Sequence, residues 1–391
     1  MQIFVQPTGR RIVPFDDPPG EVLIANRPLR AWQAEMIRDA GLERVERLEP
    51  PCVVIPDTLF TTGGVLRRLV EGAGGRNAVL VLAESRFGKS TTFVQPDVEA
   101  VDGGWRFDAV RFESGGDEAP QPVVVDPEEK VVELPVAPAF GADEPARIAL
   151  ARHPVLTVHH WVHILWANQA AGALEVRRGA WWKGVLRVIW AFLRCRSFNR
   201  WRILGKLNTV GRKCDIHPTA TVEGSTLGDG VTVGPYARVL FSRVGDGATV
   251  MAGAHVEACT IGEGATVAQM TTLRASVLYP ESFSGQTVMQ ASVLGRRTLL
   301  TTASWSIDLN FEREIRVPLD GELHSTGARM LGSAFGHGSR VGAGVFLASG
   351  RAIPNGAFLM RDPRQVIAKV PLEAGERPLV NDGGRLVPLD P

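Results

Sequence analysis

Only four cysteines occur in the 391 residues, Cys52, Cys195, Cys214 and Cys259, and no two form a CxxC pair. That spacing supplies neither a disulfide framework nor a zinc site, so a reducing compartment is expected. No run of 18 uninterrupted apolar residues is present, which argues against a membrane-spanning helix. The opening MQIFVQPTGRRIVPF lacks the apolar core of a signal peptide, and the expected location is the cytoplasm. Net charge is also lacking: Lys+Arg 43 against Asp+Glu 42 leaves +1. That argues against a whole-chain nucleic-acid binder, because phosphate attraction needs a net basic surface, and leaves open a local basic patch. Glycine is what the chain has in excess, with 42 residues, well above the usual share of about 7%.

The chain divides into regions of different character. Residues 1–145 read as an α/β domain. Within it Cys52–Ile55 (CVVI) and Ala78–Ala83 (AVLVLA) predict buried strands, and Leu29–Ala40 predicts an amphipathic helix capped by Gly41. The Pro-rich, acidic stretch Asp117–Pro145 reads as a loop or edge structure. Residues 146–213 form a linker holding six of the nine Trp residues. From Glu175 to Lys213 there are eleven basic residues and one acidic residue. Trp182, Leu186, Ile189 and Leu193 recur at helical spacing there, with Lys183, Arg187 and Arg194 on another side, which predicts a basic amphipathic helix.

From Ile216 onward the glycine becomes periodic. The chain reads IHPTAT, VEGST, LGDGVT, VGPYAR, VLFSR, VGDGAT, VMAGAH, VEACT, IGEGAT, VAQMTT, LRASV. Each unit opens on an aliphatic residue, and units of six, six and five residues give a 17-residue repeat. Val222, Val239, Val256 and Leu273 mark one column; Leu227, Val244 and Ile261 mark another. After an interruption, Phe335, Val341, Leu347, Ile353 and Leu359 restore a spacing of six. Fixed-period self-similarity of this kind is a solenoid. Three short strands per coil, with the aliphatic residues stacked inside, predict a triangular left-handed parallel β-helix over residues 214–375, followed by a tail at 376–391.

An α/β domain followed by such a prism resembles the sugar-1-phosphate nucleotidyltransferase/hexapeptide acyltransferase family typified by bifunctional N-acetylglucosamine-1-phosphate uridyltransferase/glucosamine-1-phosphate acetyltransferase. The likeness is carried by Asn26–Gln33 (NRPLRAWQ) and by Pro154–Gly172 with His160-Trp161 and Ala167-Asn168. Ser292–Gly295, the excursion Trp305–Gly327 and the run Gly332–Gly356 extend it into the prism. The resemblance implies a nucleotide sugar made on the N-terminal domain, with Mg as its ion. It also implies a homotrimeric prism and acyl transfer from acyl-CoA to an amino sugar.

Several motifs depart from the family pattern. Its Gly-rich phosphate loop becomes Gln6-Pro7-Thr8-Gly9-Arg10-Arg11-Ile12-Val13-Pro14, in which Gly9 and Arg11 match but Gln6 and Pro7 replace glycines. Only 23 residues separate Gln33 from Asp57, too few for the family's base-recognition segment ahead of its metal-binding Asp. Asp57 matches that Asp or caps a turn. In the prism, the position of the family's general-base His falls on Gly285, and its Asn-rich loop becomes Leu299–Ser304 (LLTTAS). His255, His324 and His337 are the remaining histidine candidates for prism catalysis, each set against the commoner solvated-face role. His337 in FGHGSR leads them, because the small residues around it suit a pantetheine arm.

Other constellations carry less. Gly88-Lys89-Ser90-Thr91 is similar to part of a phosphate loop, but the first Gly of that motif falls on Ala83. His159, His160 and His163 have metal-face spacing without a neighbouring carboxylate or Cys, which favours domain-joining core, and no metal site is assigned. The basic helix reads as an interdomain strut or as an anionic-membrane surface using Lys183, Arg187, Arg194, Arg196 and Arg200. The expected protein is a sugar-nucleotide-transferase-like protein of cell-envelope or glycolipid metabolism. Nucleotidyl transfer would be lost, and group transfer would run on the prism with a sugar nucleotide or acyl-CoA as ligand. The alternative is a catalytically inactive binding or scaffolding relative.

Overall fold

The computed structural model describes residues 1–134, 146–177, 207–370 and 378–389, with the single residues 190, 203 and 205. The basic helix and its Lys183, Arg187, Arg194, Arg196 and Arg200 lie outside the described residues.

The α/β domain is built on a seven-stranded mixed sheet. Its elements are β1 (Gln2–Gln6), α1 (Leu29–Ala40), β2 (Glu43–Val45), β3 (Cys52–Pro56), α2 (Gly63–Ala73), β4 (Ala78–Ala83), α3 (Arg86–Thr91), β5 (Gly104–Glu113) and β6 (Gln121–Val125). The sheet order is β6-β4-β5-β3-β1-β2, with Val98–Val101 also pairing β5. β1 runs parallel to both β2 and β3, and β5 is antiparallel to its neighbours β3 and β4. α1 buries Leu29, Trp32, Gln33, Met36 and Ile37, the i, i+3, i+4, i+7, i+8 stripe that an amphipathic helix turns to a core. It ends where Gly41 turns left-handed at φ 72°, a conformation that costs glycine little. The stretch Asp117–Pro145 supplies the edge strand β6 and the strand Glu129–Leu134, which pairs with Ala146–Ala151.

The C-terminal part is a parallel β-helix with three faces. The first stacks Thr209, Thr226, Arg243, Thr260, Val277, Val293, Ala334 and Ala352 coil on coil. The second stacks Asp215, Thr232, Thr249, Thr266, Phe283, Leu299, Arg340 and Phe358. The third stacks Thr221, Arg238, His255, Thr272 and Val288, and the pair Trp305–Phe346 follows. The columns read from the sequence are the columns of the core: Val239, Val256, Leu273, Leu227, Val244 and Ile261 are all buried. The interval shortens to 16 between Thr272 and Val288, and an excursion separates Val293 from its partner Ala334.

That excursion carries the hairpin Arg316–Leu319/Glu322–Ser325. Ile315, Val317 and Leu319 join the same buried cluster as the α/β core, together with Val277, Tyr279 and Val293 of the first face. Burial at roughly 25 cal/mol per Å² makes this shared apolar contact the main cohesion between the two parts. Polar ties add direction. Asn26 Nδ2 donates to the Ile261 carbonyl at 2.7 Å, and Asn168 in α4 (Trp161–Arg177) bonds both Ala25 and Leu23. The residues just ahead of Asn26–Gln33 are thus tied to Asn168 of the Pro154–Gly172 stretch.

Candidate functional site

Two places gather charged side chains. The first is the carboxyl edge of β1 and β3. The chain leaves β1 toward β2 on one side and returns to β3 on the other, so the ends of β1 and β3 form a topological switch point, where open α/β sheets bind ligands. Asp57 follows β3 there. Its Oδ1 accepts from the Thr8 hydroxyl at 2.7 Å and from the Thr8 N–H at 3.2 Å. Arg10 reaches Asp320 at the hairpin tip, 3.3 Å away, and Arg11 donates to the Asp16 carbonyl at 3.0 Å. Thus the structure brings Asp57 and the loop containing Arg11 to one edge, but their polar groups are taken up within the chain. No group of three metal-ligating side chains, at Asp57 or elsewhere, occurs among the described residues. This set does not fit a Mg site, and no step is derived through one.

His337 sits at the junction between the prism and the α/β domain. Its Nδ1 accepts the Arg296 backbone N–H at 2.8 Å. Its Nε2 lies between the Arg296 guanidinium, 2.9 Å away, and Asp17 Oδ2, 3.2 Å away. Arg296 also bonds Asp17 at 2.9 Å. Phe15 and Tyr279 flank the imidazole at centroid distances of 5.1 and 5.7 Å. Gly295 permits this approach: a Cβ there would stand 2.6 Å from His337 Nδ1. Both ring nitrogens are committed to the junction.

His324 lies on the hairpin, paired with Val317, and is half-buried. Across from it His160 is fully buried, and burial brings its pKa down to about 4, opposed by the Pro318 carbonyl and assisted by His324. His163 caps its own helix: Nδ1 accepts the N–H groups of His159 and His160, and Nε2 meets the Phe93 carbonyl at 3.1 Å. The three histidines at the head of α4 are thus buried at the domain contact. The stretch Gly88–Thr91 is helical, and the N–H groups of Arg86 and Phe87 at its start hold the Glu129 carboxylate.

The second place is the third face of the prism. The 17-residue register sets Arg238 directly beside His255 on the coil below, and Arg274 beside Glu257 on the coil above. Neighbouring strands are spaced about 4.8 Å apart, so these side chains share one surface. Glu257 Oε2 lies 3.7 Å from His255 Nε2 and 3.5 Å from Arg274 Nε. The buried His255 Nε2 makes no hydrogen bond among the described residues. Burial, then the Arg238 charge, hold the His255 pKa below the ordinary histidine range; Glu257 opposes them and Arg274 adds to them. The ring is therefore neutral at pH 7, the state a general base requires. Arg238 is exposed. Reasoning from the sequence found His255 but missed Arg238, Glu257 and Arg274, although the spacing of 17 that stacks Arg238 on His255 was in view. Asp17, Arg296 and Tyr279, which surround His337, had no local signal.

No family model matches the chain, and no curated protein does. Among solved structures, the chain is similar to GDP-perosamine N-acetyl transferase from Caulobacter crescentus, crystallised as a mutant in complex with CoA and GDP-perosamine. Identity is 18%, covering 39% of this chain and 51% of that one, with a TM-score of 0.18. It is also similar to UDP-N-acetylglucosamine acyltransferase from Campylobacter jejuni, at 15% identity over 36% of this chain and 72% of that one, with a TM-score of 0.19. This chain thus spans about half the length of the first of these structures.

Proposed function

We propose that the chain is a sugar-nucleotide-transferase-like protein of cell-envelope or glycolipid metabolism. Group transfer runs on the third face of its left-handed β-helix, and nucleotidyl transfer by the α/β domain is lost. The observation that carries this reading is the array on the third face: a neutral His255 with Glu257 near one ring nitrogen, Arg238 beside it on the coil below and Arg274 beside Glu257 on the coil above. Glu257 favours the tautomer with its proton on Nε2, which leaves Nδ1 as the base. His255 takes the proton of an attacking amine or hydroxyl as that atom bonds the acyl carbonyl. The carbon–sulfur bond of acyl-CoA then breaks, and the leaving thiolate receives the proton.

The protein works as a homotrimer in the cytoplasm. Val288, Trp305, Ile307 and Phe346 support the association of copies, because they leave exposed apolar surface further up the same face. Peripheral membrane attachment through the basic helix is kept as an added property. Release of free CoA thiol, with acyl-CoAs offered against amino-sugar and hydroxyl-sugar nucleotides, tests the reading in wild type and His255→Gln. Turnover that disappears in the variant supports it; equal turnover in both, or none in wild type, ends it.

A second reading is supported by the filled crevice at Asp57 and the committed His337. In it the chain is an inactive binding or scaffolding relative. Thermal stabilisation by nucleotide sugars without any turnover would favour that reading.

A further inference from the structure

One coil below His255 the third face presents a second, separate combination of groups. Arg238 is exposed, and its guanidinium forms no hydrogen bond or ion pair with another described residue. Three residues later Phe241 occupies the corner that ends the strand, and 52% of its surface is exposed. This corner turns left-handed in successive coils: Gly224 at φ 57°, Phe241 at 48°, Ala258 at 53° and Ala275 at 45°. Glycine suits that conformation and alanine tolerates it, whereas a bulky aromatic residue there is an outlier. The ring lies against Gly224 of the coil beneath, where a Cβ would stand 2.8 Å from Phe241 Cδ1. A strained corner is thus used to hold a flat apolar ring in solvent, three residues along the chain from an exposed arginine that has no ion-pair partner among the described residues.

We propose that Arg238 and Phe241 form the nucleoside-diphosphate subsite of the group acceptor, with Arg238 on the diphosphate and the Phe241 ring under the base. The proposal relies on the reading of the His255 face as the transfer site, since it directs the attached sugar up the prism axis toward His255. Guanidinium is the side chain best matched to phosphate oxygens, through paired N–H donors. An aromatic ring accepts any base by its π-face, so Phe241 selects for a nucleotide without choosing among bases. Glu257 and Arg274 one coil above balance each other, which leaves Arg238 as the anion-seeking charge of this surface.

Calorimetric titration of the full chain with UDP, GDP and inorganic pyrophosphate tests the subsite without relying on turnover. Wild type is expected to bind both nucleotides, Arg238→Gln to bind them at least tenfold more weakly, and Arg238→Lys to fall between. Phe241→Ala is expected to lose roughly tenfold for the nucleotides and nothing for pyrophosphate. Unchanged nucleotide affinity in Arg238→Gln, or no nucleotide binding by wild type, overturns the proposal. Nucleotide binding that Arg238→Gln loses, in a protein that transfers no acyl group, keeps the subsite and removes the transfer reading.

Discussion

The domain junction and the third face of the prism both gather histidine, arginine and carboxylate, yet they differ in what satisfies those groups. At the junction Asp17 meets both Arg296 and His337, Asp57 meets Thr8, and Arg10 meets Asp320. On the third face His255 Nε2 has no hydrogen bond among the described residues and Glu257 sits just outside bonding distance. Polar groups that complete one another inside a chain hold structure, because breaking them leaves costly unpaired atoms. Groups left without completion on a partly exposed side chain are available to a ligand; the His255 side chain is 23% exposed, although its Nε2 is itself buried. The most suggestive histidine in the sequence, His337, is of the first kind, and the less conspicuous His255 is of the second.

Exchanging the roles of the two histidines would break this contrast, and it carries the largest expected effect. His255→Gln should lower acyl-transfer kcat by about 10²–10⁴-fold, the usual contribution of a general base, with an unchanged melting temperature. His337→Ala should do the opposite. It removes the acceptor of the Arg296 N–H and a partner of Asp17, costing about 1–2 kcal/mol of stability with kcat within a few-fold of wild type. A large kcat loss in His337→Ala without destabilisation would reverse the assignment.

Tyr279 tests the claim that the junction is core. It is 1% exposed, its hydroxyl accepts the Leu23 N–H at 3.0 Å, and burial pushes its pKa up. Tyr279→Ala is expected to cost about 3–5 kcal/mol in denaturant unfolding, and Tyr279→Phe about 1 kcal/mol. A smaller loss for the alanine variant would mean that the two parts cohere elsewhere.

The buried His160 gives the junction a pH signature. The unfolded chain takes up the proton near pH 6.5, while the folded chain does so only near pH 4. Stability is therefore complete above pH 6.5 and declines as the pH falls toward about 4, by on the order of 3 kcal/mol. His163, also depressed by burial, acts in the same direction. Denaturant midpoints at pH 7, 6 and 5 should fall steadily in wild type and less steeply in His160→Gln. Parallel slopes would show that His160 does not carry the effect.

The legible parts of this molecule are those with short-range periodicity. The prism could be read to the column, because most inward aliphatic residues pair with their equivalents 16 to 18 positions away. α1 could be read to its cap because its pattern and its glycine lie within one segment. The sequence offered no sign of Asp17 meeting Arg296, 279 residues apart, since nothing local marks such a partner. The same limit made His337 attractive: its small neighbours look like room for a cofactor arm, but that space admits the α/β domain. The basic helix, legible from composition, lies outside the described residues.

The smallest expected effect bears on the most consequential loss, that of nucleotidyl transfer. Arg10 and Asp320 form an ion pair that is 30% and 67% exposed, and such pairs contribute under about 1 kcal/mol. Asp320→Ala should therefore barely alter stability, yet it frees the one arginine of the loop that the hairpin engages. If the crevice were a working triphosphate site held shut by the hairpin tip, releasing Arg10 would raise affinity for ATP or UTP. Glycines that let backbone N–H groups close on phosphates are replaced by Gln6 and Pro7, and the Thr8 N–H is already given to Asp57. A freed guanidinium alone does not rebuild that cradle. No gain in nucleotide binding is expected by calorimetry, and a clear gain in Asp320→Ala would make the junction a closed site that still functions.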